Sequence, residues 1–189
     1  MNFVLKKGGN THKAITNCLI IFNINIMNKF ELGSPEFFQA CRELANKTYK
    51  DKVPQEVLDR ILDLTPDVEK VKTGLDAPNS SAKVNVTAAF IYGTVSCEID
   101  SQHKRFDGTH WGIGLAGFAA TGIIYTAYND WQTFFNNATA YHIQSAGVAG
   151  GVVQVNWFNG SGIPVGQFDG IAGGAGAMEV GGSGSWKDM

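Results

Sequence analysis

The residues with the most recognisable chemistry in this sequence form a G-x-G-x-x-G motif at positions 112–117, with Asp130 downstream. Such a motif binds a dinucleotide when it follows a buried strand and opens a helix. Here it follows the charged hairpin turn that we predict at 104–108. Ile113 and Leu115 alternate with glycine, as in a strand. We therefore interpret the motif as part of a strand and predict no nucleotide or other cofactor.

A second set of side chains has the types used in metal binding and acid–base catalysis. Its members are His103, His110, His142, Asp100, Asp107 and Cys97. They lack the His-x-x-x-His or Cys-x-x-Cys spacing that places ligands side by side. An enzyme would need one of these histidines to meet a carboxylate or a serine in one cleft. We predict solvated turn residues near Asp107, no metal ligands, no catalytic residues and no enzymatic activity.

The serines and cysteines do not supply a recognisable nucleophile either. Ser183 and Ser185 lie in the Gly-Ser run 181–185, which lacks the strand-to-helix setting of a nucleophile elbow. The three cysteines are too widely spaced for a disulfide framework or a zinc site. The sequence thus directs attention from catalysis to architecture.

Composition sets the size and class of the protein. The chain has 189 residues and a mass of 20.3 kDa, with 44% hydrophobic residues, which suits one domain with an appendage. A formal net charge of -2 and a pI near 6.1 give no basic field for a phosphate backbone, so we expect no nucleic-acid partner. No apolar run reaches 18 residues, and we predict no transmembrane segment.

Two different kinds of polypeptide meet near residue 83. Residues 1–83 hold 22 charged residues and four glycines, whereas residues 84–189 hold 10 charged residues and 19 glycines. We predict a helical hairpin at 34–72, a linker rich in turn residues at 73–83 and a glycine-rich β-barrel domain at 84–189. Residues 1–33 are interpreted as a leader or, if translation starts at Met27, as a wrongly assigned beginning.

The hairpin segment has helical periodicity. Ser34 can cap a helix that starts at Pro35, and apolar residues recur at three- and four-residue steps to about Lys50. Pro54 opens a second amphipathic helix, which ends at Thr65 and Pro66. We expect both apolar stripes to pack on the protein's own domain. A stripe that binds a partner is the alternative.

The period changes to two from Val84 onward, as in strands. Asp107-Gly108 and Asn159-Gly160 separate apolar runs and predict two hairpin turns, since both turn positions must accept a positive φ. One short helix, capped by Asn129 or Asp130, interrupts the strands. The predicted strands cover residues 84–92, 94–99, 110–119, 123–127, 138–146, 152–158, 163–171 and 175–186.

Glycine occupies about one position in six of this β region. A glycine within a strand costs about 0.5–1 kcal/mol relative to alanine, so this many must serve a geometric purpose. In a small closed barrel, glycines opposite aromatic rings let strands coil tightly around a filled core, and closure removes exposed edges. The sequence predicts a mainly β protein, a closed eight-stranded antiparallel barrel with one short helix, preceded by an α-helical hairpin.

Five N-glycosylation sequons exceed the number expected by chance and favour a secreted protein. They begin at Asn46, Asn79, Asn85, Asn137 and Asn159. The N-terminal residues do not form a clean signal peptide, because Asn23 and Asn25 interrupt the apolar run. Localisation stays open on these grounds.

Residues from Gly122 onward carry a family resemblance. The segments concerned are 124–126, Asp130, Phe134-Phe135, Gly147-Val148, 152–158, 166–168, 170–174 and the ending Gly181-Gly182-Ser183-Gly184-Ser185-Trp186. Over about residues 84–187 the chain resembles the virulence-associated protein (Vap) family of Rhodococcus equi. That resemblance implies an eight-stranded Greek-key barrel without a large ligand cavity. It also implies an exported, non-catalytic protein that disturbs membrane compartments of the host, and it supplies no catalytic residues.

Two functions remain open at this point. The first is a non-enzymatic Vap-like barrel that acts as an effector or interaction module, at a membrane surface or on a protein partner, as a monomer. The alternative is a small-ligand or glycan-binding barrel with Trp111, Trp131 or Trp157 as a stacking platform. Exposed tryptophans clustered near a groove favour the alternative, whereas buried tryptophans favour a filled barrel.

Overall fold

A computed structural model describes residues 30–66, 78–146, 150–174 and 177–189 of the chain. Helices α1 and α2 come first, and a short helix, α3, separates the second and third strands. The bounds of the helices are Pro35–Tyr49, Gln55–Leu64 and Trp131–Asn137. The strands β1 to β6 span Asn79–Ile99, Lys104–Thr126, Ala140–Ala146, Val152–Phe158, Pro164–Ala172 and Ala177–Asp188.

The predicted helical hairpin is confirmed, including its start signals. The Ser34 hydroxyl accepts a hydrogen bond from the backbone N–H of Phe37 at 3.2 Å, and Pro35 is the first helical residue. Pro54 precedes α2 as predicted. An Arg42 guanidinium nitrogen donates to the carbonyl oxygen of Thr65 at 2.6 Å, which ties α1 to the end of α2. Local sequence signals thus determine both helices.

The six strands form a closed antiparallel ring because β2 changes partner along its length. Its first part, from Lys104 to His110, pairs with β6, and its last part, from Ala120 to Thr126, pairs with β5. The remaining pairs β5–β4, β4–β3 and β3–β6 complete the ring. β1 pairs with almost all of β2.

Counting β1 and β2 as two segments each gives the predicted eight-stranded barrel. The division in β1 lies at a register irregularity between Phe90 and Tyr92. The two halves of β1 then lie side by side, since the hydroxyls of Thr87 and Thr94 are 2.7 Å apart and Lys83 forms an ion pair with Asp100 at 3.2 Å. The barrel is therefore closed on that side by β1 itself.

The first hairpin differs from its prediction at the turn. Asp107-Gly108 lies within β2, and the chain instead reverses at the 3₁₀ turn Asp100–Gln102 followed by His103, which has a φ of 50°. β1 also begins at Asn79, earlier than the predicted Val84. Gly108 serves close packing rather than a turn, because a Cβ there would lie 2.6 Å from Cε1 of Tyr141.

The second predicted hairpin and the short helix are confirmed. Residues 159–163 connect β4 to β5, and Oδ1 of Asn159 accepts hydrogen bonds from the N–H groups of Ser161 and Ile163, both at 3.0 Å. The positive φ of this turn falls on Gly162 rather than on Gly160. Asp130 caps α3.

Aromatic rings fill the barrel. Phe106, Phe168 and Trp157 are fully buried, and Phe134 of α3 closes the cluster with its ring centroid 6.0 Å from that of Trp157. Outside the barrel, α1 packs Phe37, Phe38 and Cys41 against Tyr125 and Val152. The helical hairpin therefore covers one outer face of the sheet.

Candidate functional site

Three exposed apolar side chains gather near the middle of the β1–β2 hairpin. Trp111 is 72% exposed, Ile91 61% and Tyr92 44%. The rings of Tyr92 and Trp111 contact edge to face with centroids 5.4 Å apart. We call these three residues the hairpin patch. Clustered exposed aromatics of this kind mark interaction sites more often than isolated ones do.

The β1 irregularity positions the hairpin patch. Tyr92 pairs with Trp111 across the two strands, and the register shifts between Phe90 and Tyr92. Such an irregularity allows two successive residues to point to the same side of a sheet, which strict alternation forbids. Ile91 and Tyr92 are accordingly both exposed. The next pair, Gly93 and His110, contributes to the buried side.

A groove of about 620 Å³ runs across the outer surface beside the hairpin patch. Its polar lining side chains come from both halves of β1, from β2 and from β6. They are Asn85, Thr87, Thr94, Ser96, Arg105, Asp107, Thr109 and Ser183. We call it the hydroxyl groove, because hydroxyls are its most frequent polar group.

The charged side chains at one end of the groove neutralise each other. Arg105 donates from Nε to Asp107 at 2.7 Å and from Nη1 to Glu98 at 2.9 Å, and Lys187 pairs with the second oxygen of Asp107. Burial opposes ionisation of Asp107, but the hydrogen bonds from Lys187 and Arg105 hold its pKa below the ordinary value. Two cations thus balance two anions.

The structure separates the residues considered for catalysis. Cys97 is fully buried in the barrel, and burial raises the pKa of its thiol. His110 is 1% exposed, its Nδ1 lies 3.0 Å from the Tyr141 hydroxyl, and burial lowers its pKa. Asp107 points outward, so its carboxylate and the His110 ring lie on opposite faces of β2.

The other candidates lie at three different places. His103 and Asp100 belong to the exposed turn between β1 and β2. Ser183 and Ser185 lie on β6, and His142 is half-buried beneath α1. Within the ranges that the structure describes, no three histidine, cysteine or acidic side chains are grouped to hold a metal ion. The predicted lack of catalytic, cofactor and metal residues stays a prediction.

A buried polar cluster that the sequence did not predict lies between the helical hairpin and the barrel. Its side chains are Gln144, Gln154, Asn156, Gln167 and Asp169, which we call the amide cluster. Gln154 donates to Asp169 at 2.8 Å, and Gln167 donates to the Thr65 hydroxyl at 2.6 Å. The alternation of Gln154 and Asn156 with valines in β4 is the sequence signal for a polar face.

The amide cluster contains an acid at an unusual position. Asp169 is completely buried, and burial raises its pKa to about 6 despite hydrogen bonds from Gln154 and Gln167. Cys41 of α1 also contacts it, and burial together with the Asp169 charge raises the pKa of that thiol. The Tyr49 hydroxyl shares a hydrogen bond of 2.8 Å with Nδ1 of His142 and so connects α1 to β3. These contacts fasten the helical hairpin to the barrel.

The tryptophans divide between the core and the surface. Trp157 is fully buried, and Trp131 and Trp186 pack against the core as half-buried residues. Trp111 remains exposed in the hairpin patch. Of the three predicted stacking residues, Trp111 is therefore the most exposed. Among the helices that the structure describes, none has the length and apolar character needed to cross a bilayer.

Comparison with known proteins identifies relatives of this fold. A family model described as Rhodococcus equi virulence-associated protein matches residues 36–187. The structure of virulence-associated protein VapD from the intracellular pathogen Rhodococcus equi is similar, with 19% identity and a TM-score of 0.53 over 59% of this chain and 99% of that chain. VapB from the same organism has 24% identity and a TM-score of 0.51 over 59% and 98%. No curated protein matches.

Proposed function

This chain belongs to the Rhodococcus equi virulence-associated protein family, and we propose that it acts as a non-enzymatic effector or interaction module at membrane surfaces. The observation that carries the proposal is the hairpin patch. Tryptophan and tyrosine are the side chains most enriched at the boundary between water and lipid, because their rings combine an apolar body with a polar atom. Ile91 adds purely apolar area beside them.

The position of the patch on the barrel supports the same proposal. Tyr92 and Trp111 belong to paired strands, so the fold holds them together before contact and little conformational entropy is lost on binding. The opposite faces of these strands pack on the barrel core. The patch is therefore a rigid projection that can insert into the headgroup region without unfolding the barrel.

The non-enzymatic part of the proposal rests on where the reactive groups lie. His110 and Cys97 contribute to a packed interior, and Asp107 is engaged by two cations. None of the three groups faces a shared cleft with another.

Vesicle binding by the full chain tests the membrane proposal. We expect binding to neutral phosphatidylcholine vesicles, since the net charge of -2 gives no attraction to anionic lipid. Trp111→Ala should weaken binding by about 10- to 150-fold, because burying a large apolar side chain contributes about 1.5–3 kcal/mol. Ile163→Ala, which removes a 39% exposed apolar side chain elsewhere, is the matched control.

The salt dependence of the same assay decides between two binding modes. Insertion of apolar side chains is nearly insensitive to salt, whereas attraction between charges is screened. Binding only to anionic vesicles that disappears in high salt, or no binding to either vesicle, would contradict the proposal.

A further inference from the structure

We propose that the hydroxyl groove is a binding site for a neutral oligosaccharide, with Tyr92 and Trp111 as its stacking wall. This inference goes beyond membrane contact. It rests on the groove lining, on the charge balance at the end of the groove and on two rings of the hairpin patch, Tyr92 and Trp111.

A row of hydroxyls crosses the groove. Thr94 pairs with Thr109 between β1 and β2, and Thr109 pairs with Ser183 of β6. The Thr87 hydroxyl lies 2.7 Å from that of Thr94 and extends the row onto the other half of β1. Neighbouring strands are about 4.8 Å apart, so with the shorter distance between Thr87 and Thr94 the four hydroxyls span about 12 Å. Each hydroxyl donates one hydrogen bond and accepts two, which suits a ligand rich in hydroxyls of its own.

The stacking wall stands beside the middle of this row. Tyr92 precedes Thr94 and Trp111 follows Thr109, each by two residues on the same outward face, about 7 Å away along the strand. The negative face of an aromatic ring attracts the positive edges of C–H groups. Pyranose rings present C–H groups on their faces and hydroxyls at their edges. The groove and its wall offer partners for both.

The acidic and basic side chains at the end of the groove offset each other, which favours a neutral ligand. Arg105 and Lys187 are both engaged by Asp107, and Arg105 is also engaged by Glu98. Because these carboxylates offset both cations, the end of the groove carries no net charge to attract a phosphate or sulfate group. The volume of about 620 Å³ lies in the range of small-molecule sites and is large enough for a short oligosaccharide.

Titration calorimetry on the full chain with defined probes tests this site. The neutral probes are maltotetraose, cellotetraose and tetra-N-acetylchitotetraose, and a heparin-derived tetrasaccharide is the anionic comparison. We expect at least one neutral probe to bind and the heparin fragment not to bind. Trp111→Ala should weaken binding about tenfold through lost stacking, and the double variant Thr94→Val, Thr109→Val should do so through lost hydrogen bonds. Ile163→Ala should leave binding unchanged.

Three results would each overturn the inference: no binding of any neutral probe, preferential binding of the heparin fragment, or full binding by the Thr94→Val, Thr109→Val variant. Thermal unfolding of each variant verifies that it is folded. Ile91→Ser separates the two proposals, since it should weaken vesicle binding and leave oligosaccharide binding intact. The Thr94→Val, Thr109→Val variant should weaken oligosaccharide binding and leave vesicle binding intact. Failure of one proposal is therefore distinguishable from failure of the other.

Discussion

Replacing Gly108 with alanine tests the packing of the barrel at a point where sequence and structure disagree. If Asp107-Gly108 were a turn, a Cβ at position 108 would point to solvent. In the structure it would lie 2.6 Å from Cε1 of Tyr141 and 2.8 Å from Cε1 of Phe106. Neither ring can withdraw easily. Phe106 is fully buried and contacts the rings of Tyr141, Trp157 and Trp186, with centroids between 5.4 and 5.9 Å away.

The size of the effect follows from two opposing contributions. Forcing an extra carbon into a well-packed core costs about 1–3 kcal/mol. Replacing glycine with alanine also restricts the unfolded chain, which stabilises the folded state by about 0.4–1 kcal/mol. Gly117→Ala on the same strand is the matched control, because nothing lies within 4 Å of its Cβ position. The unfolded-state contribution cancels between the two variants, so their difference measures the packing cost alone.

Guanidinium unfolding monitored by tryptophan fluorescence provides the measurement. Gly108→Ala should be less stable than Gly117→Ala by about 1–3 kcal/mol, with Gly117→Ala at least as stable as the wild type. Equal stability of the two variants would refute the assignment of Gly108 to close packing, and with it the account of why this barrel contains so many glycines.

Two further predictions concern the amide cluster and α3. Burial raises the pKa of Asp169 to about 6. The stability that this residue contributes is therefore fully present below about pH 4 and is lost as the pH rises through about 6. The variant Asp169→Asn cannot ionise and should lack this pH dependence. Urea unfolding should show the wild type losing about 2 kcal/mol relative to the variant between about pH 4 and pH 7, and a constant difference would contradict the burial of this carboxyl. Asp130→Ala should destabilise by about 1 kcal/mol, because its Oδ1 accepts the N–H of Thr133 at 2.8 Å. Thermal unfolding should show a smaller effect for Asn129→Ala, and equal effects would count against the cap.

The sequence predicts an element correctly where its residue types favour a single conformation. Ser34 followed by Pro35 is an example, and α1 begins where this pair predicts. Glycine is ambiguous, because both tight turns and close backbone approach favour it. The sequence predicts a turn at Gly108, whereas the structure places this residue in close packing. The true turn places His103 in the left-handed region without a glycine. No pattern of residue types in the sequence predicts a turn at this position.

The candidate sites depend on contacts that sequence order does not reveal. Alternation in β4 predicts that Gln154 and Asn156 share a polar face, but it cannot tell whether water or a helix covers that face. The hydroxyl groove requires β6 to lie beside the first part of β2, so that Ser183 meets Thr109. The joint exposure of Ile91 and Tyr92 depends on the irregularity in β1. Each of these is a property of strand pairing in space.

The change of partner along β2 has a consequence for how the protein reaches its native state. The β1–β2 hairpin joins neighbouring parts of the chain and can zip up early, whereas β6 must find residues 104–110 across more than 70 intervening positions. Contacts of such long range slow folding. During synthesis, the edges of β2 and β3 that receive β6 stay open until Ala177–Asp188 has left the ribosome. Until then they can pair with another copy, so misassembly threatens the nascent chain most just before its last strand arrives.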